Sequence, residues 1–414
     1  MSRLRYAFRT LVGPWCALPV AALEVANLLQ RGRPWRGDDI WTTEWLAIVL
    51  FIAGPLIAGA AAIDASRMAQ RDSVYLVAVS ARPRTAFLRS ACWTAGPVAL
   101  IHSLTFVVAM YLGGTLLPTA SVHHLLLGFG AQLAAIFWYA AIGSALGRFV
   151  PPLLAGLLAA VVALGLFYRF STGDGFLLLD FGASTNPRLG TLWNEQYLML
   201  QIAALVGTAL VLVTIRVYPD RNRNLIRWQG AIAITAVLAI TVLVSSTGPA
   251  QRTVIAAPSE PDYCIWGEPR MCFFGEHERM IAPTEMAIIE LVNAAMASGY
   301  ESLVPAVIHE EAWHYGVDSK EIQGLWMADP LYRGEPWDKL NLIQELISPK
   351  HCPQMNSSPG PNEEFWDTYD AVMLTWGSLV DHPSGDQFHD APEQEPLTPS
   401  EVSQAIEFLD SCDF

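Results

Sequence analysis

Lysine is scarce in this chain of 414 residues: Lys320, Lys339 and Lys350 stand against 22 arginines. None of the three follows a glycine, so no Gly-x-x-x-x-Gly-Lys-Ser/Thr loop occurs, and any ATP-driven activity needs a separate ATPase. A nucleophile elbow, a Rossmann fingerprint and a haem-attachment motif are missing too. These gaps leave no cofactor-binding residues to name and no catalytic site to assign. The lysine shortage itself reads as the mark of a GC-rich genome. Charge of either sign is sparse in long stretches before residue 247, and basic charge is sparse after it. Residues 1–247 carry 18 arginines against 10 acidic residues, a net of +8. The remainder carries 7 basic against 29 acidic residues, a net of −22. A surface so acidic excludes nucleic acid as a partner.

What is present in the first half is apolar length. A helix of about 18 or more uncharged residues crosses the roughly 30 Å hydrocarbon layer. Seven such spans are expected: Leu11–Leu29, Leu46–Ile63, Ala95–Leu117, Leu125–Leu146, Leu153–Phe167, Tyr197–Ile215 and Trp228–Val244. The first is read as a retained span and not a cleaved signal peptide, because Glu24 interrupts it and no small-x-small site follows. With the N-terminus inside, 13 of the 18 arginines of this half fall on the inner side, as cytoplasmic loops require. An odd number of spans then puts the acidic C-terminal domain outside.

The expected fold is an all-α polytopic membrane protein of about seven transmembrane helices, with a mainly α-helical, disulfide-bearing extracytoplasmic domain at its C-terminus. Residues 1–247 form the membrane part, 248–261 the linker and 262–414 the acidic domain. Four cysteines, Cys264, Cys272, Cys352 and Cys412, fall in that domain, and an oxidising compartment suggests two disulfides and no structural zinc. Three connectivities are possible. Cys264–Cys272, which closes a short hairpin, with Cys352–Cys412 is favoured; the longer loop should stabilise by roughly 3–4 kcal/mol. Helical stripes are expected at Met286, Ile289, Val292 and Met296 behind a Thr284 cap, and at Phe365, Tyr369, Val372, Trp376 and Leu379. Thr398-Pro399-Ser400-Glu401 reads as a capping box leading Val402, Ile406 and Leu409.

Few residues suggest chemistry. His309-Glu310-Glu311-Ala312-Trp313-His314 resembles a zinc peptidase site, but its histidines are five apart where that motif needs four. On a helix they would stand about 140° apart. Within the spans, Glu24, His102, Gln132 and Gln201 are polar, and such groups mark pathways or face a bundle interior. Gly143-Ser144-Ala145-Leu146-Gly147 is a small-x-x-x-small contact motif. The longest inner loop, Asp64 to about Ser90, gathers Arg67, Arg71, Arg82 and Arg84 around an apolar centre with Tyr75 and Leu76. It is either a lipid-facing surface or the docking site of a cytoplasmic partner. The outer segment from Tyr168 to Gln196 is either a re-entrant hairpin at Phe176–Leu179 or a plain loop.

A basic N-terminus, six spans and an inner loop with Arg67-x3-Arg71 and Ser80-Ala81-Arg82-Pro83-Arg84 resemble the membrane subunits of type-two ABC permeases. The extra span and the outer domain resemble permease-like proteins of high-GC bacteria. In those, Cys264 … Met271-Cys272, Gly275-Glu276-His277 and a closing helix like Leu397–Val402 before Cys412 have counterparts. The resemblance implies a multi-pass subunit of the cell membrane, a homodimer or paired with a second permease, in a lipid bilayer. It implies a separate ATP-binding cassette subunit on the cytoplasmic face, docked on the Arg67–Arg84 loop. The rival expectation is a membrane-anchored receptor or sensor whose outer domain binds a ligand.

Overall fold

The computed structural model describes residues 3–30, 33, 35–70, 85–113, 122–172, 176–182, 191–214, 248–249, 251–255, 260–312, 315–317, 319–352, 355, 360–380 and 395–412. The chain forms two compact units: Met1–Gln30 with Asp38–Val254, and Arg31–Gly37 with Ile255–Phe414. The boundary lies past the seventh expected span, and a short segment of the first outer loop joins the second unit.

The first unit is helical: α1 (Arg3–Thr10), α2 (Ala17–Leu29), α3 (Asp39–Ala47), α4 (Leu50–Met68), α5 (Ala86–Gly113), α6 (Val122–Gly147), α7 (Pro152–Ser171) and α8 (Glu195–Thr214). A 3-10 turn at Gly13–Cys16 leads α2, and Thr191–Trp193 (β1) pairs with Thr253–Ile255 (β2). Helices α4 to α8 are long and apolar enough to cross a membrane; Gly13–Leu29 is shorter. The core packs alanine and glycine faces. A methyl group on Gly143 or Gly147 would strike the carbonyl oxygen of Ala58 or Ala62, at 2.0 and 2.2 Å. The small-residue motif thus lets α4 and α6 touch backbone to backbone.

Side-chain bonds fix the direction of the helices. His124 meets Glu195 at 2.9 Å, Trp138 donates to Thr208, and Arg148 donates to the Val213 carbonyl oxygen. So α6 and α8 run the same way. The backbone N–H of Asn194 donates to the Arg252 carbonyl oxygen, which puts Arg252 at the Glu195 end, opposite Val213. The seventh expected span, Trp228–Val244, falls between these two residues and lies outside the described residues.

One loop expected from sequence is a helix. Residues 39–45 fall between the first two expected spans and 46–47 open the second, yet every residue of α3 is buried. Asp38 caps it by accepting the Trp41 N–H. The Thr42 and Thr43 hydroxyls donate to the Asp38 and Asp39 carbonyl oxygens, and the Glu44 carboxylate meets Trp193 and Arg252.

The second unit has more helix than strand, as expected, but it is not all-α, and this corrects the expected fold class. It holds a four-stranded sheet: β3 (Tyr263–Ile265), β4 (Arg270–Phe273), β5 (Val307–Glu311) and β6 (Gln323–Trp326) in that order. The β3–β4 hairpin is antiparallel, and β4–β5 and β5–β6 are parallel. Helices α9 (Glu278–Ala297), α10 (Asp329–Arg333), α11 (Lys339–Ile347), α12 (Glu363–Leu379) and α13 (Pro399–Ser411) complete it. By length and composition α9 is the sixth membrane-capable helix among the described residues. Phe365, Val372 and Trp376 of α12 are buried, and the Thr398–Glu401 capping box is formed. The α9 stripe is largely reversed. Met286, Ile289 and Met296 are exposed, whereas Val292 is buried together with Ile281, Ile288, Leu291 and Ala295. Helix α9 begins at Glu278, so Thr284 is an interior residue that accepts a bond from Trp337 Nε1.

Candidate functional site

Three of the four polar residues expected within the spans meet. Glu24 on α2, His102 on α5 and Gln132 on α6 are all buried. His102 Nδ1 lies 2.5 Å from Glu24 Oε1, and His102 Nε2 lies 2.8 Å from Gln132 Oε1. Gln132 Nε2 donates to the carbonyl oxygen of Thr43 on α3 at 2.8 Å. A continuous relay thus crosses four helices. The imidazole stacks on Phe129, which stacks on Phe106, so aromatic rings close one side. Glu24 Oε2 is buried with no hydrogen-bond partner among the described residues. Glu24 lies near the end of its expected span, from where a side chain could reach the interface; the structure instead buries it beside His102.

Gln201 belongs elsewhere. Its amide donates to the carbonyl oxygens of Leu178 and Asp180, and its oxygen accepts from Arg252. Arg252 also lies 3.6 Å from the buried Glu44 carboxylate, which accepts from Trp193 Nε1. Gly182 has φ +82°, and a side chain there would overlap the Glu44 carboxylate at 2.1 Å. Phe176, Leu178, Leu179 and Phe181 are buried, so the segment expected as a hairpin or a loop folds into this end of the bundle. Glu44, Asp180, Trp193 and Arg252 carried no signal in sequence. Their common role appears only once a strand from beyond residue 250 returns to the bundle.

In the second unit the disulfides are Cys264–Cys272 and Cys352–Cys412, the favoured pairing. Cys264 and Cys272 face each other across the β3–β4 hairpin. The segment around His309 is a strand and not a helix, so the angular argument against paired histidines does not apply to it. Alternation along β5 sends successive side chains to opposite faces. Glu310 is buried against His277 Nδ1 and accepts the Phe274 N–H. Glu311 faces Lys350, whose amine also meets Glu345 at 2.5 Å. His309 lies 2.9 Å from the Tyr315 hydroxyl; burial, then the charge of Arg270, lowers its pKa. His314 lies outside the described residues. Glu311, Val317, Trp326, Glu345, Lys350 and Met355 help line a cavity of about 430 Å³.

Of the expected docking loop, Arg67 is exposed in the last turn of α4. Arg71, Tyr75, Leu76, Arg82 and Arg84 lie outside the described residues. The chain matches no family model, no curated protein and no solved structure.

Proposed function

We propose that this chain is a permease-like subunit of the cell membrane that moves a substrate when a separate ATP-hydrolysing subunit drives it. The carrying observation is the Glu24–His102–Gln132 relay inside the bundle. Ionisable groups at membrane depth are costly and characteristically serve a pathway; a bundle that only anchors a domain has no use for one. The apolar helices support the membrane setting, and the two disulfides suit an oxidising compartment for the second unit. The arginine distribution supports a cytoplasmic N-terminus and an extracytoplasmic C-terminal unit. With no P-loop of its own, the chain would draw ATP-derived energy from a partner.

A second reading rests on the cavity beside Lys350: a receptor or sensor that captures a ligand outside. Co-purification with candidate ATPases separates the two. For the permease reading, an ATPase should copurify, and Tyr75→Asp with Leu76→Asp should abolish the complex while membrane insertion persists. An unchanged complex in the double variant overturns the docking site. Failure of every ATPase to bind, together with ligand capture lost in Lys350→Ala, favours the receptor.

A further inference from the structure

We propose that the Glu24–His102 pair is a proton-binding site within the bundle, holding one exchangeable proton. Hydrogen-bond direction carries the inference. The Thr43 carbonyl oxygen can only accept, so Gln132 must turn its amide nitrogen toward it. Gln132 Oε1 therefore faces His102 Nε2, and that nitrogen must bear its hydrogen. In a neutral ring Nδ1 is then bare. At 2.5 Å from Glu24 Oε1, a bare nitrogen and an ionised carboxylate would set lone pair against lone pair.

One further proton must lie between them. The pair is an imidazolium beside a carboxylate, or an imidazole beside a carboxylic acid. Both forms are neutral overall, the state that a low-dielectric interior tolerates. Losing the proton to water breaks one N–H or O–H bond and leaves a buried net negative charge. Regaining it reverses that step. The unpartnered Glu24 Oε2 is a second acceptor atom at the same place.

Helix α2 carries no other titratable group. On α3 are Asp39 and Glu44, and the Glu44 carboxylate already faces Trp193 and Arg252. Helix α5 offers Arg89, Cys92 and Tyr111, and α6 offers His123, His124 and Tyr139. His123 and His124 lie near Glu195 at the helix end. Among the described residues, no charged side chain other than its partner bonds to Glu24 or His102.

The test is histidine 15N NMR of the full chain in lipid nanodiscs, which reads the hydrogen on each ring nitrogen. His102→Gln identifies the signal. In the wild type, Nε2 should bear its hydrogen, and a second proton, exchangeable with deuterium, should lie between Nδ1 and Glu24 Oε1. In Glu24→Gln the new amide donates to a bare Nδ1, so the shared proton should be lost while Nε2 keeps its hydrogen. In Gln132→Leu, Nε2 no longer has to bear a hydrogen, so a ring with its hydrogen on Nδ1 alone becomes allowed. If Glu24→Gln does not fold, the wild-type ring decides. A bare Nε2 in the wild type, no proton between Nδ1 and Glu24, or an unchanged ring in Glu24→Gln overturns the proposal. Its outcome is independent of whether an ATPase binds.

Discussion

His102 shows how a single residue joins elements that sequence treats separately. Glu24, His102 and Gln132 could be selected one by one, since each is polar within an apolar span. Their meeting could not be read, because they lie on three helices far apart in sequence, and Thr43 contributes only a backbone oxygen. Replacing one member should be expensive. His102→Leu leaves Glu24 buried without its partner, and removing one side of a buried ion pair costs about 3–5 kcal/mol. The double variant Glu24→Leu with His102→Leu should recover much of that loss, because the two residues are in contact and their effects do not add. Thermal unfolding in detergent measures both; a double variant as unstable as the sum of the singles refutes the coupling. His309 gives the second unit an acid sensitivity. Its folded pKa is lowered, chiefly by burial and then by Arg270, so the native state favours the neutral ring. That contribution is complete above the ordinary histidine pKa and is lost as pH falls through the folded value. His309→Gln should flatten the stability of the chain between about pH 7 and 5, as read by thermal unfolding of the intact protein.

At the scale of elements, legibility followed the strength of the local pattern. The aromatic stripe of α12 and the Thr398 capping box each combine several local cues that agree, and the structure contains both. The α9 stripe misled because that helix is apolar on more than one face, and spacing alone does not say which face meets the sheet. The His309–His314 spacing speaks only to a helix, whereas Val307 and Ile308 favour a strand. Those β-branched residues occupy an inner strand, paired on both sides. Helix α3 was hidden by its own carboxylates. The glycines of the bundle allow a sharper experiment. A methyl group at Gly143 would lie 2.0 Å from a backbone oxygen, whereas at Gly165 nothing lies within 4 Å. Gly143→Ala forces α4 and α6 apart and should destabilise by about 1–3 kcal/mol, the usual range for overpacking. Gly165→Ala should be neutral or stabilise by up to about 1 kcal/mol, from helix propensity alone. Equal effects at the two positions would mean that α4 and α6 are not in backbone contact.

For the whole molecule, the contacts of the first unit divide its ends before any charge is counted. Glu44, Asp180, Trp193 and Arg252 gather at one end. Val12 and Gly13 donate to Asp64, and Arg148 reaches Val213, at the other. Glu260 follows Arg252 by eight residues, too few for the chain to cross about 30 Å of hydrocarbon as a helix. Arg67 lies one helical turn beyond Asp64. The membrane reading therefore expects Glu260 and Arg67 on opposite sides of the bilayer, whichever way the protein is inserted. The arginine excess favours the orientation proposed above, with Arg67 inside and Glu260 outside. Single cysteines at these exposed positions test both statements. The free thiols are first removed with Cys16→Ala and Cys92→Ser, leaving the two disulfides intact. An impermeant maleimide applied to intact cells should label Glu260→Cys and should reach Arg67→Cys only after the cells are opened. The reverse result would invert the protein and put its disulfides in a reducing compartment, against their chemistry. Labelling of both positions from outside would overturn the division of the bundle ends itself.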